Sequence, residues 1–409
     1  MRQHSLSKAT INVLLLGGIH ASAKQAFERD GYSNVELLDR ELAGAELLKK
    51  VAGAHILGIR STTHIDAKVL EHAKKLIAIG CFCIGTNQVD LKNAMLAGIP
   101  VFNSPYANTR SVAELVIGFL IMLMRGIPTK NAAAHRGQWM KSAKDSFELR
   151  GKTLGIVGYG HIGTQVGLIA EALGMRVRFF DIAPKLALGN AKAVDSLKEL
   201  LGASDVVTLH VPGGKTTENM IAANELKLMK KNAILINAAR GTIVDNEALA
   251  ATLKAKHLAG AAIDVHPQEP ASTDERFTSP LQNLPNVILT PHIGGSTLEA
   301  QEGIGHEVAG SLISYSNTGS TVGSVNFVEV NLPPHTGKHR VLHIHRNQPG
   351  VMAAMNDIFA AQKVNIAGQY LGTNAQIGYV VTDIDQDKGA ALLPKLKLIP
   401  GTIRTRILY

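Results

Sequence analysis

Apolar and polar positions follow two rhythms along this chain, and the switches between them mark its elements. Short solid apolar runs are the sign of strands buried on both faces; apolar residues recurring every three or four positions are the sign of helices packed on one side. The pattern first predicts a strand at Val13–Leu16, a helix at Ala21–Asp30 ended by Gly31, and a helix at Leu42–Val51. Strands follow at His55–Ile59, at Leu76–Cys83 and, beyond the turn Gly98-Ile99-Pro100, at Val101–Asn103. This alternation builds a small parallel sheet. Ser111 with Glu114 reads as a capping box opening a long helix, Val112–Met124, whose apolar residues run nearly all round and predict burial.

From Lys152 to Ile293 the alternation is sustained. Strands are expected at Leu154–Val157, Val177–Phe180, Asp205–His210, Ala233–Asn237, Ala259–Asp264 and Val287–Thr290, with a helix at Thr164–Leu173 stopped by Gly174. SVNFVEVNLPPHTGKH, rich in turn residues, reads as a linker. Beyond it come a strand (Val341–His345), a helix (Val351–Phe359), two strands (Ile366–Leu371, Gly378–Ile384), a helix (Gly389–Leu398) and a strand (Thr402–Leu408). That order is ferredoxin-like. The whole is an α/β chain: a doubly wound parallel sheet, a smaller α/β region before it and an α+β module after it.

Composition narrows the field. At 409 residues, 45% hydrophobic and 18% charged, the chain has the make-up of two or three soluble globular domains. No apolar run approaches the roughly 20 residues of a membrane span. The first ten residues lack the apolar core of a secretory signal, so a cytoplasmic setting is expected. Cys81 and Cys83 would face one side of a strand, which suits neither a disulfide nor a metal site and reads as buried reduced thiol. The net charge of +9 is spread along the chain rather than gathered in a block, which argues against nucleic acid and fits a funnel for anionic substrates. Trp139 beside Lys141 reads as a packing or subunit contact.

The chemistry gathers around Lys152–Asp181. Gly158, Gly160 and Gly163 stand at G-x-G-x-x-G spacing between a strand and a helix. Gly158 permits the tight turn, Gly160 lets backbone approach a pyrophosphate, and Gly163 lets helix and strand pack closely. Asp181, at the end of the second strand, can accept hydrogen bonds from ribose hydroxyls and repels a 2′-phosphate, so NAD is expected over NADP. Downstream, Arg240, Glu269 and His292 each fall just past the apolar end of a different strand, the edge where ligands bind in an open parallel sheet. His292 suits proton exchange with a substrate hydroxyl, Glu269 suits fixing its tautomer and raising its pKa, and the Arg240 fork suits a carboxylate. Hydride transfer from a 2-hydroxy acid is the reaction these groups serve.

LGIVGYGHIG, INAARGTIVD, AAIDVHPQEP and LTPHIGGST resemble the D-specific 2-hydroxyacid dehydrogenase family. IGCFCIGTNQVDL, NTRSVAELVIG, AHRGQW and PGTIRTRILY resemble its bacterial branch that oxidises 3-phosphoglycerate and ends in an ACT module. The resemblance implies a flavodoxin-like substrate domain from 1–107 and 295–336, an inserted Rossmann NAD domain over 108–294, and an ACT regulatory domain over 337–409. It adds His161, Ile162, Ala238, Ala239, Arg240, Asp264, His292, Ile293, Gly294 and Gly295 to the NAD contacts. Arg60, Ser61, Asn108 and Arg240 would line the substrate cleft, with Lys141 entering from a neighbouring subunit. The chain departs from the branch at Thr62, where relatives carry a second arginine, and Arg40 stands in a position to compensate. The implied reaction is NAD-dependent conversion of 3-phosphoglycerate to 3-phosphohydroxypyruvate, the first step to L-serine, in a homotetramer, with 2-oxoglutarate as a further substrate.

In the tail, HIHRNQPGV and VNIAGQY imply L-serine bound between paired ACT modules by His345, Asn347 and Asn365. Thr336-Gly337 replaces the paired glycines of related hinges. The alternatives are a hydroxypyruvate or glyoxylate reductase of the same family, a non-catalytic NAD-sensing corepressor, and a tail that serves dimerisation alone.

Overall fold

The computed structural model describes residues 7–270, 274–333, 339–385 and 388–408. The chain divides into two compact units, Met1–Ala107 with Gln301–Tyr409, and Asn108–Ala300.

In the first unit the solid apolar runs become β1 (Asn12–Leu16), β3 (Ile56–Ile59), β4 (Ala78–Cys81) and β5 (Val101–Phe102), joined by β2 (Asn34–Leu38) at the edge. The strands are parallel in the order β2-β1-β3-β4-β5, the flavodoxin-like arrangement. Alternate strand residues feed two cores. Leu14, Leu16, Leu57 and Ile79 meet Leu47 and Val51, whereas Val13, Leu15 and Ile56 meet Phe27 and the helix Leu298–Thr318 through Val308, Leu312 and Tyr315. The strand expected to reach Cys83 ends at Cys81. Cys83 lies in the following loop, 3.3 Å from Gln88 Nε2, so the thiols share no strand face. Burial pushes the Cys81 thiol pKa well up.

The tail belongs to this unit. Its strands β13 (His339–Arg346), β14 (Ile366–Thr373), β15 (Ile377–Ile384) and β16 (Thr402–Leu408) form an antiparallel sheet ordered β14-β15-β13-β16. Helices Val351–Ala361 and Gly389–Lys397 bury Val341, Met355, Phe359 and Leu396 on one face. The opposite face contributes Leu342, Ile344, Tyr379 and Leu408 to the same core as Tyr315, Phe102 and Phe27. Arg340, 1% exposed, holds Asp383 at 2.6 and 2.9 Å and donates to the carbonyls of Thr318 (2.9 Å) and Pro333 (3.2 Å).

The stretch read as a linker is largely built into this core. Val325 N–H donates to Val101 O, the Asn326 side chain bonds Val101, Ile99 and Leu91 backbone, and Phe327, Val330 and Leu332 are buried. Its polar residues serve as backbone mimics that plug the end of β5. Thr336-Gly337 lies outside the described residues.

The second unit is a seven-stranded parallel sheet. Its strands are β6 (Thr153–Val157), β7 (Arg176–Phe180), β8 (Lys192–Ala193), β9 (Val206–Leu209), β10 (Ile234–Asn237), β11 (Gly260–Ile263) and β12 (Val287–Leu289). The order β12-β11-β10-β9-β6-β7-β8 places the switch point between β6 and β9. The long buried helix begins at Thr109 rather than Val112, with Asn108 at its N-cap. The expected capping box does not form. Ser111 already lies inside the first turn and meets Thr297 Oγ1 at 2.8 Å, while Glu114 pairs with Arg110 at 2.6 Å. Among the described residues no single helix is long and apolar enough to cross a membrane.

Candidate active site

Parallel pairing brings the carboxyl ends of β6 through β12 to one edge of the sheet, and the site is built there from backbone outward. Gly158 leaves β6 with φ +90°, a left-handed conformation that a side chain would strain, and a Cβ would stand 2.8 Å from His210 O. At Gly163, in the helix His161–Ala172, a Cβ would overlap the Gly158 carbonyl. At Gly160 a Cβ would meet nothing within 4 Å, so the space over the turn is open. The helix begins three residues earlier than its apolar period indicates, which puts His161 and Ile162 at its positive end. An open approach, a helix N-terminus and an acid at the next strand end fit the pyrophosphate and ribose of a dinucleotide. Asp181 accepts from Tyr159 N–H (2.8 Å) and Ala183 N–H (2.9 Å), so the acid also braces the glycine turn.

The carboxylate and imidazole expected to work together do meet. Glu269 lies 2.9 and 3.1 Å from His292 Nδ1, which leaves Nε2 as the free ring nitrogen. The Glu269 hydrogen bond raises the His292 pKa first and most; burial opposes it, the charges of Glu269 and Asp264 add to it, and Arg240 subtracts. For Glu269 itself burial acts upward most strongly, but the bonds from His292 and the His266 N–H together outweigh it and hold the carboxyl below its ordinary value. His292 stands in the left-handed region at φ +54°, uncommon for a residue with a side chain. Asp264 holds it there. This buried carboxylate accepts from Thr290 Oγ1 (2.5 Å), Ile293 N–H (2.9 Å) and Gly294 N–H (2.9 Å), while its backbone carbonyl accepts from His292 N–H (2.8 Å).

Arg240 extends from the end of β10, half-buried, with Nη1 2.6 Å from Ala239 O. Asn237, fully buried and not singled out by sequence, fixes that loop by donating to Arg240 O (3.0 Å) and accepting from Ala239 N–H (3.1 Å). A short polar residue ending an apolar strand is the signal that could have found it. Ala238 and Ala239 line the same loop, and Ile293 is exposed on the turn beyond His292. Gly295 packs on Asn108, where a Cβ would stand 2.6 Å from Nδ2; Asn108 is buried, and its Oδ1 has no partner among the described residues.

Other expected residues stand elsewhere. Arg60 and Ser61 follow β3 directly in the first unit, Arg60 half-buried and Ser61 exposed. Thr62 donates to Glu41, and Arg40 pairs with Glu46, its Nη1 at 3.0 Å. Lys141 is exposed in the irregular segment after the helix Ile127–His135 of the second unit.

The tail residues do not share one place within the chain. His345 pairs with Gly378 and Thr402 at one end of the sheet, its Nδ1 donating to Arg346 O at 2.8 Å. Asn347, just beyond, donates to Asn374 O at 2.6 Å. Asn365 precedes Ile366, which pairs with Ile384 opposite His339, at the other end. Strand rise separates the two ends by about 20 Å.

Residues 117–294 match the family model described as "D-isomer specific 2-hydroxyacid dehydrogenase, NAD binding domain", and 341–404 match an "AHAS small subunit-like ACT domain". The chain belongs to the D-isomer specific 2-hydroxyacid dehydrogenase family and is an NAD-dependent oxidoreductase with a C-terminal ACT domain. It is 58% identical to the D-3-phosphoglycerate dehydrogenase of Escherichia coli (strain K12), over all of both chains. It is 56% identical to the enzyme of that name from Haemophilus influenzae, over 99% of each. Among solved structures it resembles D-2-hydroxyisocaproate dehydrogenase (TM-score 0.70, 26% identity, 78% of this chain and 100% of that one). It also resembles the D-lactate dehydrogenase of Aquifex aeolicus complexed with NAD and lactic acid (0.67, 26%, 74% and 95%).

Proposed function

We propose that this chain oxidises 3-phospho-D-glycerate to 3-phosphohydroxypyruvate with NAD, the first step of L-serine biosynthesis. The observation that carries this reading is the hydrogen-bonded Glu269–His292 pair, with Arg240 on a neighbouring strand end, in a chain related end to end to enzymes named for that activity. Arg240 receives the substrate carboxylate as a two-pronged ion pair. The C2 hydroxyl then donates to His292 Nε2, because Nδ1 is engaged by Glu269. As hydride leaves C2, the hydroxyl proton passes to Nε2, and Glu269 stabilises the imidazolium so formed. NAD, when bound, supplies the hydride acceptor. In the reverse direction the same nitrogen returns the proton.

Residues 1–107 and 295–336 serve as the substrate domain, 108–294 as the NAD domain and 337–409 as the regulatory domain. Arg60, Ser61 and Asn108 line the cleft, Lys141 reaches it from a neighbouring subunit of a homotetramer, and 2-oxoglutarate is a second substrate for reduction. With Thr62 and Arg40 both engaged by glutamates, Arg60 carries more of the phosphate grip than it would beside a second arginine. L-Serine inhibits by bridging two ACT modules, a reading supported by the placement of His345 and Asn347 at one end of the tail sheet and Asn365 at the other. The protein works in the cytoplasm.

Steady-state NADH formation with 3-phosphoglycerate, and its consumption with 3-phosphohydroxypyruvate, 2-oxoglutarate, hydroxypyruvate and glyoxylate, each with and without serine, tests this. Turnover confined to hydroxypyruvate or glyoxylate would move the chain to a reductase role. Tight NAD binding with no turnover of any acid would leave a cofactor-sensing protein.

A further inference from the structure

We propose that the side chain of His266 is a positioning residue for the Glu269–His292 pair, tying the loops that carry its two members. The proposal rests on the acid–base reading of that pair given above. His266 follows β11 by three residues and is 8% exposed. Its Nε2 lies 3.0 Å from the carbonyl oxygen of Thr290. A carbonyl accepts and does not donate, so Nε2 carries the proton and the tautomer is set. Thr290 stands two residues before His292, and its hydroxyl binds the Asp264 carboxylate that holds the His292 turn.

The same residue also grips the partner loop. His266 N–H donates at 3.0 Å to Glu269 Oε1, an oxygen that is itself 3.1 Å from His292 Nδ1. A third loop closes on its carbonyl: Gly241, next to Arg240, packs so tightly there that a Cβ would overlap it. The imidazole edge rests on Phe277, ring centroids 4.5 Å apart, and its Nδ1 is buried with no hydrogen-bond partner among the described residues. The loops bearing Arg240, Glu269 and His292 thus converge on one residue. Two of the three ties are backbone and survive substitution, so the ring contributes the tie to the Thr290–His292 loop.

A residue that merely fills space would be replaced well by phenylalanine, which keeps the volume and the Phe277 contact. A positioning residue would not, because phenylalanine leaves the Thr290 carbonyl without its donor. Glutamine carries an N–H₂ at similar reach and serves as the conservative variant. The groups facing His292, namely Glu269, Asp264 and Arg240, are the same in every variant, so a change in its titration reports geometry.

The test uses full-length His266→Phe and His266→Gln with His292→Ala as reference, measuring NAD affinity by calorimetry and the pH profile of kcat/KM for 3-phosphoglycerate oxidation. His266→Phe should lower kcat about tenfold and leave NAD Kd within about twofold. The acidic limb of its profile should move to lower pH, as a loosened Glu269 raises the imidazole less. His266→Gln should recover most of the rate and the limb. An unmoved limb and rate in His266→Phe, with His292→Ala inactive, overturns the proposal and leaves the acid–base reading intact. Near-normal turnover by His292→Ala overturns both. Should His266→Phe fail to fold, ¹⁵N shifts of the wild-type imidazole, assigned by difference from His266→Gln, decide: Nε2–H supports the tie and Nδ1–H overturns it.

Discussion

His292 is held and tuned by its neighbours. Its backbone is held in a left-handed turn by Asp264, and its pKa is raised chiefly by Glu269. Removal of a substrate proton needs the neutral imidazole, so kcat/KM for oxidation should rise with pH through a value above the ordinary 6.5. Glu269→Gln removes the main cause of that rise; its acidic limb should shift to lower pH while kcat falls by about 10²-fold, read from steady-state rates between pH 6 and 9. An unmoved limb would mean that another group sets it. Sequence disclosed Arg240, Glu269 and His292 because charge just past an apolar run is conspicuous. It hid Asn237, the bracing work of Asp264 and Asp181, and His266, because most of their partners are backbone atoms, which spacing does not show.

At the scale of elements, apolar runs located most strands to within a residue or two, and the glycine spacing located the tight turn from β6 into the helix His161–Ala172. The period failed where burial is partial or length short. Strand β2 is an edge strand of mixed exposure, and the helices Ala67–His72 and Leu91–Leu96 are too brief for a clear face. Close packing at Gly163 makes a sharp prediction: Gly163→Ala forces helix and strand apart at a cost of about 1–3 kcal/mol. The NAD dissociation constant should accordingly rise about tenfold or more, measured by fluorescence titration. In β13, burial of His343 pushes its pKa down from 6.5 to about 4, and the neighbouring His345 acts in the same direction. A folded value below the unfolded one means stability is complete above about 6.5 and is lost as pH falls toward 4. The loss is at most about 1.4 kcal/mol per pH unit. Denaturant unfolding at pH 7, 6 and 5 should show that slope in the wild type and a flatter one in His343→Gln.

For the molecule as a whole, the module order was legible and the seating of the tail was not. Turn residues such as Asn326 look the same in a free linker and in a plug that bonds three backbone groups more than 200 residues away. A shared core with Phe102 and Tyr315 is a long-range fact that local pattern does not encode. Arg340 is the polar counterpart of that core, and Arg340→Ala would strand the Asp383 carboxylate beside uncovered carbonyls. A loss of about 3–5 kcal/mol is expected, and scanning calorimetry should show a separate, earlier transition where the wild type shows the tail melting with its unit.

That shared core also sets an order of events during synthesis. Asn108–Ala300 leaves the ribosome as one uninterrupted stretch and can close its sheet as soon as it emerges. The unit begun first must wait, because the cluster that contains Ile11 and Val13 also contains Leu342, Tyr379 and Leu408. Its earliest strands are therefore made long before the surface that covers them. For that interval Phe27, Phe102 and Tyr315 lack part of their cover, which makes the nascent chain, rather than the finished enzyme, the form most in need of a chaperone.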